Sequence, residues 1–96
     1  MKPATEYNLD AMNESELQEF VEEIGNGIRP IRAARLLFPG RKDGTVNAAK
    51  ALLAYAWNKL TAISCRKAGN IPAALKYEAI CERIYRMDLP EWAKGW

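Results

Sequence analysis

Residues 45–90 constrain the fold most, because they hold two apolar stripes of helical period joined by a short turn. The first stripe comprises Ala49, Leu52, Leu53, Ala56, Trp57, Leu60, Ile63 and Ser64. The second contains two adjoining rows, Ala73/Tyr77/Ile80/Ile84 and Ala74/Cys81/Tyr85. Between them, Gly69 suits the end of one helix and Pro72 the first turn of the next. The pattern predicts an antiparallel helical hairpin over about 46–68 and 72–87, centred on Trp57, Leu60, Ile80 and Ile84.

Two shorter helices are predicted upstream of the hairpin. Asn13 and Glu16 have the spacing of a capping box, and an apolar stripe on an acidic helix follows at Leu17, Phe20, Val21 and Ile24. The second short helix begins at Pro30 and has apolar residues at Ile31, Ala34, Leu37 and Phe38. We therefore expect helices at 14–25 and 30–38, with Thr45 as the N-cap of the third helix.

No segment alternates with the period of a strand, so the predicted fold is all-α, a small four-helix domain with an acidic N-terminal helix. The 96 residues suit a single domain. Its parts are an arm at 1–12 docked by Tyr7 and Leu9, two short helices within 13–44, the hairpin at 45–90, and an aromatic tail at 91–96. We expect Trp92 of the tail to fold back onto the core.

Charge is distributed unevenly along the chain. Residues 1–26 have one cation and seven carboxylates, a net charge of −6, whereas residues 27–96 have thirteen cations and five carboxylates, a net charge of +8. Two interpretations stay open: either the acidic helix packs beside the basic remainder, or two oppositely charged faces meet different partners. Glu78 lies among apolar neighbours on the fourth helix, and we expect a buried pair in which Lys59, Arg66 or the Trp57 indole satisfies it.

The chain lacks the residue patterns of the familiar catalytic sites. It has no histidine, and neither Ser15 nor Ser64 has a candidate base beside it. Cys65 and Cys81 should be offset by about 9 Å along the hairpin, too far for a disulfide, and they cannot form a familiar zinc site. We therefore expect no enzymatic activity, no cofactor and no metal. No apolar run is long enough for a membrane span or a secretory leader, so we expect a cytoplasmic protein.

The hairpin resembles two kinds of known protein. Trp57, Leu60, Gly69, Ala74 and the Leu89-Pro90 stop resemble one unit of a tetratricopeptide repeat, which implies a helical-hairpin shape and protein binding. Residues 55–96 are also similar to small proteins encoded by phages and other mobile elements. The strings that carry this likeness are Ala56-Trp57-Asn58-Lys59, Arg66 to Ile71, Ala74 to Tyr85 and Leu89-Pro90.

These observations favour a protein-binding module that docks on a host or phage protein and inhibits nucleic-acid-handling or defence machinery. The candidate contact residues are Glu16, Glu19, Glu22, Glu23, Tyr85 and Trp96. The alternative is a small nucleic-acid-binding or regulatory protein that contacts phosphates through Arg29, Arg32, Arg35, Arg41 and Lys42. The wide apolar face of the fourth helix predicts either a monomer closed by the first helix and the Trp92 tail, or a homodimer through Tyr85 and Trp96.

Overall fold

The computed structural model describes residue 3 and residues 7–25 and 29–94. It contains four α-helices: α1 (Glu14–Gly25), α2 (Pro30–Leu37), α3 (Thr45–Lys67) and α4 (Ile71–Arg83). A π-helical segment, Ile84–Asp88, continues α4, and a 3₁₀ turn follows at Glu91–Ala93. These described residues include no strand, so the predicted all-α fold is confirmed.

The central element is α3, against which α1, α2 and α4 all pack. The helices α3 and α4 are antiparallel, because Arg66 pairs with Glu78 near their connecting turn and Cys81 Sγ donates to the Tyr55 carbonyl farther along, at 3.5 Å. The helices α1 and α3 are also antiparallel. Lys67 pairs with Glu14 at one end, and Gly25 faces Leu53 at the other.

Local hydrogen bonds end and begin the helices as the sequence predicts. At the start of α1, the Asn13 backbone N–H donates to Glu16 Oε1 at 3.1 Å and the Glu16 N–H donates to Asn13 Oδ1 at 2.9 Å. At the end of α3, the Asn70 N–H donates to the Cys65 carbonyl at 2.8 Å, and Gly69 adopts a φ of +79°. This is a Schellman motif, which requires the left-handed conformation that glycine adopts without strain.

The core forms where α1, α2 and the arm cover α3. The largest fully buried side chains are Phe20, Leu9, Leu17, Leu37 and Leu52. Leu9 belongs to the arm, and the Tyr7 ring lies edge-on to Phe20 with 4.9 Å between centroids, so the predicted docking of the arm is confirmed. Trp92 lies edge-on to Phe38 with 5.1 Å between centroids, which confirms that Trp92 folds back onto the core.

The predicted centre of the hairpin is partly wrong. Ile84 is buried, but Leu60 and Ile80 are only partly buried and Trp57 is 54 % exposed. The physical reason is that helical period identifies the stripe on α3 without showing how far its neighbours extend across it. The residues at 57 and 64 lie at the edge of the stripe, beside α1 rather than beneath it.

Three smaller expectations also need correction. Gly44, with a φ of +74°, is the N-cap of α3, and Thr45 is its first, buried residue. On α2, Ile31 was expected to be buried but is 60 % exposed. Ala33, which was not among the predicted apolar residues, is buried in the core instead. The regular part of α4 ends at Arg83, and the Leu89 N–H then donates to the Ile84 carbonyl at 3.0 Å across a wider turn. Both cysteines are free, as expected.

Candidate functional site

A groove runs between α1 and α3. It has a volume of about 420 Å³ and is lined by Glu14, Gln18, Val21 and Glu22 of α1 and by Trp57, Leu60, Thr61 and Ser64 of α3. On both helices these residues recur at spacings of three and four, so each helix contributes one continuous face. The groove therefore follows the two helices for about two turns, or roughly 12 Å.

Trp57 is the dominant apolar group of this groove. Its side chain is about half exposed although it projects from the middle of a 23-residue helix. The Thr61 hydroxyl donates to the Trp57 carbonyl at 2.9 Å, so the hydrogen-bond donor of Thr61 is already satisfied within α3. Sequence reasoning placed Trp57 in the core. The sequence did contain a signal against this placement. The polar residues Thr61 and Ser64, one and two turns farther along, lie on the same side of α3 as Trp57.

The α1 wall of the groove is acidic. This helix contains five glutamates and no lysine or arginine. Glu14 pairs with Lys67 at one end of the groove, whereas no ion pair in the described part of the chain involves Glu19, Glu22 or Glu23. The wall thus carries negative charge that, apart from the Glu14 pair, no ion pair among the described residues compensates.

The predicted protein-contact residues do not form one surface. Glu22 lines the groove, and Glu19 and Glu23 are exposed on α1 near it. The Glu16 carboxylate is instead bound to the Asn13 N–H in the capping box, so its role is to begin the helix. Tyr85 lies on a different side of α3, partly buried, with Lys94 Nζ 5.1 Å from its ring centroid. Trp96 lies outside the described residues.

A second cleft, also of about 420 Å³, lies between the arm, α3 and α4. Its polar groups hold the arm in place: Lys59 Nζ donates to the carbonyls of Leu9 and Asp10, and the Tyr55 hydroxyl donates to Asp10 Oδ1 at 3.3 Å. Burial, with the Asp10 charge second, raises the pKa of Tyr55 well above its usual value. Burial also raises the pKa of the Cys81 thiol to about 11. Both groups are therefore neutral, and we assign this cleft a structural role.

Glu78 forms the predicted pair with Arg66. Arg66 Nε donates to Glu78 Oε2 at 2.5 Å and Arg66 Nη2 donates to Oε1 at 2.8 Å, a bidentate arrangement across the hairpin. The hydrogen bond from Arg66 holds the pKa of Glu78 below its ordinary value. The pair is not buried, since both side chains are more than two-fifths exposed.

The basic segment forms an exposed surface on α2 and the loop after it. All five of its cations are exposed: Arg29, Arg32, Arg35, Arg41 and Lys42. The Arg41 guanidinium lies over the Trp92 ring, 4.1 Å from its centroid. Within the described residues none of the five forms an ion pair with α1. The interpretation that the acidic helix packs beside the basic remainder therefore holds for Lys67, which pairs with Glu14, and not for these five cations.

No metal-ligand cluster, membrane-spanning helix or known relative adds a further site in the described part of the chain. The described side chains include no group of three residues that could hold a metal ion. None of the described helices combines the length and apolar character needed to cross a membrane. No protein family model matches the chain, and no curated protein or solved structure matches it significantly.

Proposed function

We propose that this protein is a binding module without catalytic activity, and that it docks on another protein through the groove between α1 and α3. The observation that carries the proposal is the half-exposed indole of Trp57. Tryptophan is among the residues most enriched at energetic hot spots, where it fills a desolvated pocket on a partner. Trp57 projects from α3, which packs against α1, α2 and α4. Binding would therefore cost little conformational entropy of the backbone that carries the indole.

The likeness of residues 55–96 to proteins of phages and mobile elements supports a more specific proposal. The partner would be a host or phage protein in the cytoplasm, and docking would inhibit nucleic-acid-handling or defence machinery. The charge separation between α1 and α2 is compatible with this role, because each surface can recognise a different feature of a partner.

Affinity capture with matched variants tests the proposal. Tagged wild-type protein should retain a partner in stoichiometric amounts from nuclease-treated lysate of the natural host. Trp57→Ala should lose it, whereas Leu75→Ala should retain it. Leu75 is an apt control because it is also 54 % exposed but lies on α4, away from the groove. Equal retention by the two variants would contradict docking through Trp57.

A second candidate function is supported by the basic surface, whose cations have no carboxylate partners among the described residues. Such a surface can bind nucleic acid through phosphates without reading sequence. If four phosphates are neutralised, affinity should fall about 10²-fold between 50 and 200 mM salt. A mobility-shift titration at both concentrations should show this fall. Arg32→Glu with Arg35→Glu should abolish the shift, and Lys76→Glu on α4 should weaken it only slightly. Binding that survives the double change would eliminate this candidate.

A further inference from the structure

The groove between α1 and α3 has a shape, an apolar part of its lining and a charge pattern that together select one class of partner. Resting on the proposed function, we propose that its occupant is a basic amphipathic α-helix of another protein, about two turns long at the contact. One flank of that helix carries lysine or arginine towards α1, and its other flank carries small or uncharged residues towards α3.

The walls of the groove favour a helix over an extended chain. Apart from the first turn of α1 at Glu14, both walls are interior parts of α-helices, whose backbone N–H and C=O groups are already paired within the helix. An added strand needs a free row of such groups, and the groove offers none. A proline-rich ligand needs several aromatic ridges, whereas Trp57 is the one aromatic side chain that lines this groove in the described residues.

The apolar lining sets the register of the occupant. Val21, Trp57 and Leu60 are the apolar residues that line the groove, and Trp57 is the first of the α3 residues along it. Two apolar side chains spaced three or four residues apart on a docked helix would reach this lining together, one over Trp57 and one over Leu60. Because Thr61 and Ser64 continue the α3 wall with short side chains, the occupant can approach α3 closely.

The charges of the walls determine the polarity of the occupant. The α1 wall presents Glu22, with Glu19 and Glu23 close by and no cation on the same helix. On the α3 side, the lining residues are the apolar Trp57 and Leu60 and the neutral polar Thr61 and Ser64, and none of these four is charged. Charge complementarity therefore favours a helix with cations only on the flank that faces α1. The glutamates of α1 would repel an acidic helix.

A peptide selection on the full-length protein tests this inference without knowledge of the partner. Random peptides of about 15 residues, the length at which isolated helices become marginally stable, would be displayed and counter-selected against Trp57→Ala. Enriched peptides should be basic, with apolar residues at helical spacing. Their dissociation constants, from fluorescence polarisation, should rise about tenfold or more in Trp57→Ala and in Glu22→Lys. Glu82→Lys, an equal charge change on α4, should leave them nearly unchanged.

Ser64→Arg provides a second test, because Ser64 is exposed and its replacement fills the groove without altering the core. It should also abolish binding. If Trp57-dependent peptides are acidic, extended or proline-rich, the inferred helix is wrong while the proposed docking surface survives. If no enriched peptide depends on Trp57 or Ser64, both fail. Salt-sensitive self-association of the protein in sedimentation, lost in Arg32→Glu with Arg35→Glu, would show that α2 of a second copy occupies the groove and would overturn the inference.

Discussion

The stability cost of Trp57→Ala distinguishes an open groove from a closed core. A whole tryptophan side chain offers about 200 Å² of surface. Since Trp57 is 54 % exposed, about 90 Å² is removed from water, which is worth roughly 2 kcal/mol at about 25 cal/mol per Å². Alanine also has the better helix propensity by about 0.5 kcal/mol. We therefore expect Trp57→Ala to lower the free energy of unfolding by only about 1.5 kcal/mol.

Leu52→Ala is the matched comparison in the core. Leu52 is on the same helix but only 2 % exposed, and its truncation leaves a cavity that the surrounding side chains cannot fully close. Such changes cost about 2–5 kcal/mol. Leu52→Ala should thus lower stability more than Trp57→Ala, although leucine is the smaller residue. Trp57→Ala should have the larger effect on partner binding.

Urea unfolding followed by circular dichroism measures both variants. If each midpoint shifts at an unchanged denaturant slope, the shift gives the change in free energy directly. A loss in Trp57→Ala equal to or greater than that in Leu52→Ala would refute the reasoning. It would mean that the indole is packed in solution and that α1 closes over it, as periodicity alone predicts.

Three further predictions concern the turn, the thiols and the ion pair. Gly69→Ala should cost about 1 kcal/mol in urea unfolding because φ is +79°, whereas Gly25→Ala, with its new Cβ at 3.6 Å from a leucine methyl, should change little. Iodoacetamide at neutral pH should modify Cys65 well before Cys81, because burial and a pKa of about 11 protect the latter thiol; equal rates in mass spectrometry would contradict this. Glu78→Gln should lower the melting temperature at neutral pH. Because the pKa of Glu78 is depressed by folding, the difference should shrink as the pH falls below 4.5, and a pH-independent difference would exclude the ion pair as its cause.

Local signals in the sequence were sufficient to locate the helices. The capping box at Asn13 and Glu16 begins α1, and Gly69 ends α3, because these residues act through hydrogen bonds and backbone angles within a few positions. The stripe on α1 is likewise buried as predicted, since a helix with one apolar face has a single face to bury. The bidentate partner of Glu78 was also predicted, as one of three candidates, although the expected burial of the pair was wrong.

The location of the groove depended on tertiary structure. Spacing assigns Trp57 and Leu52 to one stripe, but only the positions of α1 and α4 decide that the first is half exposed and the second is buried. The same is true of charge. Composition shows an acidic beginning and a basic remainder, and packing then decides which groups meet. Glu14 pairs with Lys67, whereas no cation of α2 forms an ion pair with α1 among the described residues. The sequence by itself determined which segments are helical, because helix signals are local. Which side chains remain for a partner depends on contacts between distant segments, which only the tertiary structure decides.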